Sequence, residues 1–261
     1  MRLSFVIPTR NHARFIRRCI DRCLAQGVPG SEVVVVDGLS TDGTQEILAS
    51  YGDRIRWVSE KDRGQSDAIN KGVRMSSGAV VAWVNSDDYY PDGSVLPAVL
   101  AAFDGDPEVE VVYGDGVIVD AELRPLRALP CRPGLTARDV LLYAGIAVSQ
   151  PSVFFKRSLF EAVGGVDESL HWTMDYDLWI RMFERARRTS YLPRTLSCTT
   201  SHPDAKTIQG MLPQIREVGL VKRRHMARFH LSPAEMVRLV GGWASMYVYW
   251  AAVRTGLKRA A

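Results

Sequence analysis

Asn85-Ser86-Asp87-Asp88 stands directly after the apolar run Ala79–Val84, so two neighbouring carboxylates occupy the place where a strand would end. Adjacent carboxylates repel each other unless a cation or a proton neutralises one of them. A hard divalent ion such as Mg²⁺ or Mn²⁺ takes oxygen ligands and commonly shares one or two carboxylates with substrate phosphates. There it stabilises the charge that grows on a departing diphosphate. A solvated turn or an Asx cap on the next helix would use the same residues, so the pair gains weight only from its neighbours. Three more polar clusters have the same placement: Pro8–Asn11, Asp37–Thr44 and Glu60–Asp67 each follow a short apolar run.

The elements that must position these clusters can be read from periodicity. Ser4–Pro8, Glu32–Asp37, Ile55–Ser59, Ala79–Val84 and Val109–Tyr113 read as strands. The four consecutive valines of the second suit a parallel strand buried on both faces. Between them lie helical patterns. One carries Phe15, Ile16, Cys19, Ile20, Cys23 and Leu24 on one face; one, capped by Thr41 or Asp42, carries Ile47 and Leu48; others cover Gln65–Met75 and Val95–Phe103. Strand and helix in this alternation give an α/β fold: a single domain with a mostly parallel open sheet and flanking helices. Ligands of such sheets bind outside the carboxyl ends of the strands, which puts all four clusters on one rim.

From Tyr113 the rhythm breaks. Val117–Asp120 reads as a further strand, Arg124–Pro133 as a loop, and Pro151–Phe155 and Ser190–Thr199 as extended segments. His171–Trp179 runs into a helix reaching about Ala186. The organisation expected is a domain over 1–212, with a nucleotide-binding half over 1–113 and an acceptor-binding half over 114–212. A basic helical tail follows over 213–261. From Arg216 onward the tail holds nine Lys/Arg against Glu217 and Glu235, which leaves the rest of the chain slightly acidic although the whole carries +4. A basic balance confined to one end argues against nucleic acid as a partner. Pro213–Phe229 reads as a basic amphipathic helix. The aromatic-rich run Leu239–Val253, flanked by Arg238, Arg254, Lys258 and Arg259, is shorter than the ~20 residues a spanning helix needs. It suits a helix lying on an anionic membrane, or equally one packing on the protein.

The four cysteines, Cys19, Cys23, Cys131 and Cys198, form no metal or disulfide pattern. The opening MRLSFVIPTR lacks the apolar stretch of a signal peptide. Together these lead to the expectation of a cytoplasmic protein, peripheral on the inner face of the membrane if the tail binds there. Neither a GxGxxG after the first strand nor a GxxxxGK[ST] is present, which argues against dinucleotide oxidoreductases and P-loop phosphotransferases.

In order and spacing, Val6–Asn11, Val35–Thr44, Ser59–Gly72 and Asn85–Asp88 resemble family-2 glycosyltransferases of the GT-A fold, and Met174–Arg181 resembles that family's acceptor-side motif. The resemblance covers roughly Leu3 to Leu212 and implies an inverting transfer from a nucleoside-diphosphate sugar, UDP-linked, to a hydroxyl of a glycan or lipid-linked acceptor, with Mg²⁺ or Mn²⁺. It implies that Pro8, Thr9, Arg10, Asp37 and Asp67 hold the base and ribose, an acidic group being suited to accept the uracil N3–H; Asp37 would otherwise serve as a helix cap. Asn85 and Ser86 fall at the start of the family's Asp-x-Asp motif, where Asn85 replaces the first Asp. Asp87 becomes the metal ligand, Asp88 supports it, and His202 reaches the metal or diphosphate. Lys206 or Arg63 is implied to pair with phosphate. Asp175 matches the catalytic base that takes the acceptor proton, although Met174 stands where many relatives carry Glu. Trp172, Tyr176 and Asp177 are candidate acceptor contacts. Asp177 is also the rival base, and both acids would in any case favour a helix N-terminus.

Two other readings compete. A nucleotidyltransferase that makes sugar nucleotides should carry a glycine-rich basic loop after its first strand, and Pro8–His12 has no glycine. A non-catalytic nucleotide-sugar-binding module is the reading that Asn85 and Met174 favour.

Overall fold

The computed structural model describes residues 2–143 and 147–254; Lys258 and Arg259 of the tail lie outside them. Strand β1 (Leu3–Thr9) lies between β2 (Glu32–Asp37) and β4 (Val80–Trp83), and β2 also pairs with β3 (Arg56–Ser59), all parallel. Side chains alternate across a strand, so the all-apolar run Val33–Val36 needs cover on both faces. Helices α1 (Ala13–Leu24), α2 (Thr44–Ala49) and α4 (Val95–Gly105) pack Ile16, Leu48 and Val99 on one face. Helix α3 (Gln65–Met75) packs Ile69 and Val73 on the other.

Beyond β4 the sheet turns antiparallel through β7 (Val153–Lys156), β5 (Val109–Val119) and β6 (Pro125–Leu129), while β8 (Arg188–Thr200) joins β5 in parallel. Two expectations change here. The separate strands expected at Val109–Tyr113 and Val117–Asp120 are one strand that passes through Gly114-Asp115-Gly116. Those glycines look like a break but serve close packing: a Cβ at Gly114 would stand 2.6 Å from Leu196 Cδ1, and one at Gly116 2.6 Å from Ser149 Cβ. The loop expected over Arg124–Pro133 contains β6, an edge strand that is mostly exposed. At α2 the N-cap position falls to Gly43. Asp42 instead accepts hydrogen bonds from Thr44 N (3.1 Å) and from Ala13 N (2.9 Å), tying the starts of α1 and α2 together.

The second half is built on α5 (Ala137–Leu142), α6 (Arg157–Ala162) and α7 (Met174–Arg185), followed by α8 (Lys206–Gln209), α9 (Met211–Met226) and α10 (Pro233–Arg254). The tail packs on the protein. Trp243 Nε1 donates to Ile215 O at 2.7 Å, and Gly219 gives its ring room, since a Cβ there would lie 2.4 Å from it. Arg138 of α5 holds Glu235 through two bonds of 2.6 Å and donates to Phe229 O at 2.9 Å. Val237, Val240 and Val248 face outward from α10. Among the described residues no helix is long and apolar enough to cross a membrane.

Candidate active site

The ends of β1 and β4, the start of α3, the start of α7 and the segment after β8 surround a cavity of about 460 Å³. Its rim is stitched by the loops after β1 and β2. Asn11 and Leu39 both take positive φ, 54° and 57°, a conformation unfavourable for a branched side chain but tolerated by Asn. The turns are held by Asn11 N donating to Ser40 Oγ (2.7 Å) and Thr41 N donating to Asn11 Oδ1 (2.9 Å). Asp37 lies fully buried beneath this rim. Its carboxylate accepts from Ser40 N (3.1 Å), from Ser40 Oγ and from Ser59 Oγ (2.6 Å), so it organises the loop from below.

At the end of β4, Asn85 sits in a network of amides. Its Oδ1 accepts from Gln65 Nε2 (2.8 Å) and Trp83 Nε1 (3.1 Å), and its Nδ2 donates to Gln150 Oε1 (3.0 Å) and Asp88 Oδ2 (3.5 Å). Asp88 is buried and accepts from Thr200 N at 3.0 Å. Burial, then the neighbouring Asp87 carboxylate, push its carboxyl well above the usual range. Asp at position 85 would add a third carboxylate and lose the two donors of the Asn amide.

Asp87 is half-buried at the cavity wall, with its Oδ2 3.1 Å from Nε2 of the buried His202. Adjacent ligands of an octahedral ion with bonds of about 2.1 Å lie about 3.0 Å apart, so the spacing suits two neighbouring positions of a Mg²⁺ or Mn²⁺ site. Asp87 alone of the pair lines the cavity, however, and His202 is enclosed behind it and hydrogen-bonded to it. Among the described residues no group of three His, Cys, Asp or Glu side chains is placed to hold a metal. An ion here would therefore take its remaining ligands from a bound diphosphate or from water. Among the described residues His202 Nδ1 has no hydrogen-bond partner, and it is the Asp87 carboxylate against Nε2 that sets the ring's tautomer.

Asp175 reaches the same cavity from the opposite half, one residue into α7. Burial pushes its carboxyl up, against the opposing pull of its hydrogen bond from Tyr176 N at 2.8 Å and of the nearby Lys206. Lys206 Nζ is 5.4 Å from the Trp172 ring centroid and donates to Gln65 Oε1 at 2.9 Å, bridging the two halves across the mouth.

The model of the family described as Glycosyl transferase family 2 matches residues 4–164. The chain belongs to this family. An uncharacterised glycosyltransferase of Rickettsia typhi is 28% identical over 248 residues, covering 92% of this chain and 75% of that protein. Shorter matches, 190 and 192 residues at 30% identity, span 58% of a relative from Rickettsia prowazekii and 32% of one from Rickettsia felis. Among solved structures, Staphylococcus aureus TarS 1–349 in complex with UDP-GlcNAc has a TM-score of 0.71 at 18% identity, covering 99% of this chain and 77% of that one. The mannosyltransferase PcManGT from Pyrobaculum calidifontis, in complex with GDP-Man and Mn²⁺, has a TM-score of 0.64 at 19% identity, covering 99% and 76%. At these identities the likeness is one of fold, and the fold of this glycosyltransferase is GT-A-like.

Of the residues singled out from the family-2 pattern, Pro8, Thr9, Arg10, Asn85, Ser86, Asp87, Asp88, Trp172, Asp175 and Lys206 meet around the one cavity. Others lie away from its wall. Asp67 is buried and held below the usual carboxylate range by the backbone N–H of Arg63 and its guanidinium, an arrangement that uses Arg63 as well. Asp177 faces the opposite side of α7. It bonds Arg181 (2.8 Å) and the buried His225 (2.8 Å), so it is a core ion pair and not an acceptor contact in this structure. Tyr176 Oη donates to Leu141 O at 2.8 Å, and Trp179 packs on Trp83 and Phe155 in the core.

Several partners were not legible. Glu217 of α9 accepts from His171 N (2.9 Å), Trp172 N (2.7 Å), Thr173 N (2.7 Å) and Thr173 Oγ1 (2.9 Å), clamping the segment just before Asp175. In sequence it is one acid in a basic tail, and nothing marks it. Arg18 of α1 donates to Asp87 O (3.1 Å) and Thr200 Oγ1 (3.0 Å), and His12 Nδ1 lies 2.6 Å from Ser86 Oγ. The helical face opposite the apolar stripe of α1 was the available signal for Arg18.

Proposed function

We propose that this protein transfers a sugar from a UDP-linked donor to an acceptor hydroxyl with inversion, assisted by Mg²⁺ or Mn²⁺. The observation that carries the reading is that Asp87 and Asp175, from different halves of the fold, line one cavity. Pro8, Thr9 and Arg10 receive the nucleotide end, while Asp37 and Asp67 act through the loops they hold. Asp87 and His202 are the residues that would hold the ion, which when bound neutralises charge on the departing diphosphate. Asp175 accepts the proton of the acceptor hydroxyl while that oxygen bonds to the anomeric carbon and the bond to the diphosphate breaks. Its raised affinity for a proton suits a group that must take one from the acceptor. The solved structures with UDP-GlcNAc and with GDP-Man and Mn²⁺ support a nucleotide-sugar donor and a metal for this fold. Peripheral contact with an anionic membrane through the outward valines of α10 and Arg238 extends the same reading.

The test is a thermal-shift screen of nucleotide sugars with and without Mn²⁺, followed by a donor-hydrolysis assay. A ligand at about a hundred times its Kd stabilises the fold by about 2.7 kcal/mol, a shift of a few degrees. UDP sugars should give that shift only with Mn²⁺, and Asp87→Ala should lose both the shift and hydrolysis. Shifts indifferent to Mn²⁺ together with wild-type hydrolysis in Asp87→Ala would overturn the role given to Asp87. Binding with no turnover on any donor would favour a binding module.

A further inference from the structure

Past Asp175 the cavity changes character. Asp175, Thr199, Thr200 and Ala205 also line a second space of about 490 Å³ that runs beneath α8, α9 and α10. Among the described residues no carboxylate but Asp175 lines it, and much of its wall is hydrocarbon: Ile118, Val148, Ile208, Met211, Val218 and Met246. Several of its polar side chains are already engaged. Tyr176 Oη donates to Leu141 O (2.8 Å), Ser245 Oγ to Gly242 O (2.7 Å) and Thr200 Oγ1 to Asp87 O (2.6 Å). Arg127 and Gln214 offer polar groups at parts of the wall, but a sugar ring set against the hydrocarbon stretch would leave hydroxyls short of partners, which is costly, whereas hydrocarbon loses nothing by leaving water.

The wall is built and anchored. Trp243 bonded to Ile215, and Arg138 bonded to Glu235 and Phe229, fix α10 so that Ser245, Met246 and Tyr249 face the space while Val248 faces outward. A volume of this size matches the ligand cavities of many proteins.

We propose that this second space is the acceptor subsite and takes the hydrocarbon body of an amphipathic alcohol, whose hydroxyl-bearing head meets Asp175 where the two spaces join. The proposal rests on the glycosyltransferase reading and names the acceptor class for that same site. The polar arm holds the donor, the apolar arm holds the acceptor's tail, and Asp175 stands between them.

Octyl and methyl β-glucoside share one head and differ only in chain length, so their binding to the full chain isolates the apolar arm. Both are titrated calorimetrically, below the micelle threshold of the octyl compound, into protein saturated with UDP and Mn²⁺. Each methylene removed from water contributes a factor of about four, so even partial burial should make the octyl compound about 50-fold tighter or more. Met246→Glu should abolish that preference while leaving UDP binding and the unfolding temperature unchanged; Ile208→Asn should weaken it in the same way. Val248→Glu, on the outward face, should leave it intact. Equal binding of the two glucosides overturns the proposal, as does a preference that survives both inward substitutions or that falls equally with Val248→Glu. Failure of UDP and Mn²⁺ to bind at all would instead overturn the glycosyltransferase reading on which it rests.

Discussion

Asp175 and Asp177 share the first turn of α7 but meet opposite surroundings, and each makes a different prediction. Asp177 is buried against His225 and Arg181. Burial alone would raise its carboxyl, but the bond to His225 and the nearby Arg181 hold it below the usual range. Removing one member of a buried pair typically costs about 3–5 kcal/mol, because the partner's charge is left uncompensated. Asp177→Ala should therefore lower the unfolding free energy by that amount in denaturant titrations while its folded fraction still binds UDP; unchanged stability would refute the structural role. Asp175 is instead the proposed base, and burial pushes its carboxyl up. Below that raised value it is protonated and cannot accept a proton, so turnover should fall with falling pH at a higher pH than an ordinary Asp would give. A rate profile with its acid limb in the normal carboxylate range would contradict this. The sequence pattern favoured Asp175 but kept Asp177 as rival base and acceptor contact, and it is the pairing with His225 and Arg181 that separates the two. It could not show that the metal-side motif carries Asn85 because the neighbouring Asp88 is buried and takes a donor from that amide.

The elements that position these residues were legible in proportion to how local their signal is. Val33–Val36 announced a strand covered on both faces, and Gln65–Met75 has the bounds its periodicity predicts. Strand β6 was not legible because an exposed edge strand has no buried face to impose alternation. The continuity of β5 was hidden because its glycines answer to Leu196 and Ser149, far along the chain. Glu217 belongs to the same class of long-range contact. Its carboxylate holds three backbone N–H groups ahead of α7 and so sets where Asp175 begins. Glu217→Gln keeps the size but loses the charge and one acceptor. Turnover should fall about 10- to 100-fold with UDP affinity changed far less. A parallel loss of both would indicate that Glu217 holds the whole fold and not the position of the base.

At the scale of the whole molecule, the uneven charge is partly structural. Arg224 of α9 reaches Asp167 at 2.6 Å, and Lys222 is buried with its Nζ donating to Leu141 O and Tyr143 O at 3.1 Å each. Burial brings the Lys222 ammonium down to about 8 from an ordinary value of 10.5. Between those values the unfolded chain still binds the proton and the folded one has lost it, so stability should rise with pH across that window, by on the order of 3 kcal/mol. Denaturant titrations from pH 7.5 to 10.5 should show the rise in the native protein and a flatter curve in Lys222→Met; equal slopes would contradict it. On the proposed reading, both halves of the chain act on one donor and one acceptor in a shared cavity. Single-turnover measurement of sugar transfer or donor hydrolysis by Asp175→Asn, beside its UDP affinity in Mn²⁺, tests it most directly. The expected result is wild-type UDP binding with turnover reduced about 100- to 10,000-fold. Wild-type turnover in that variant would show that Asp175 does not take the acceptor proton.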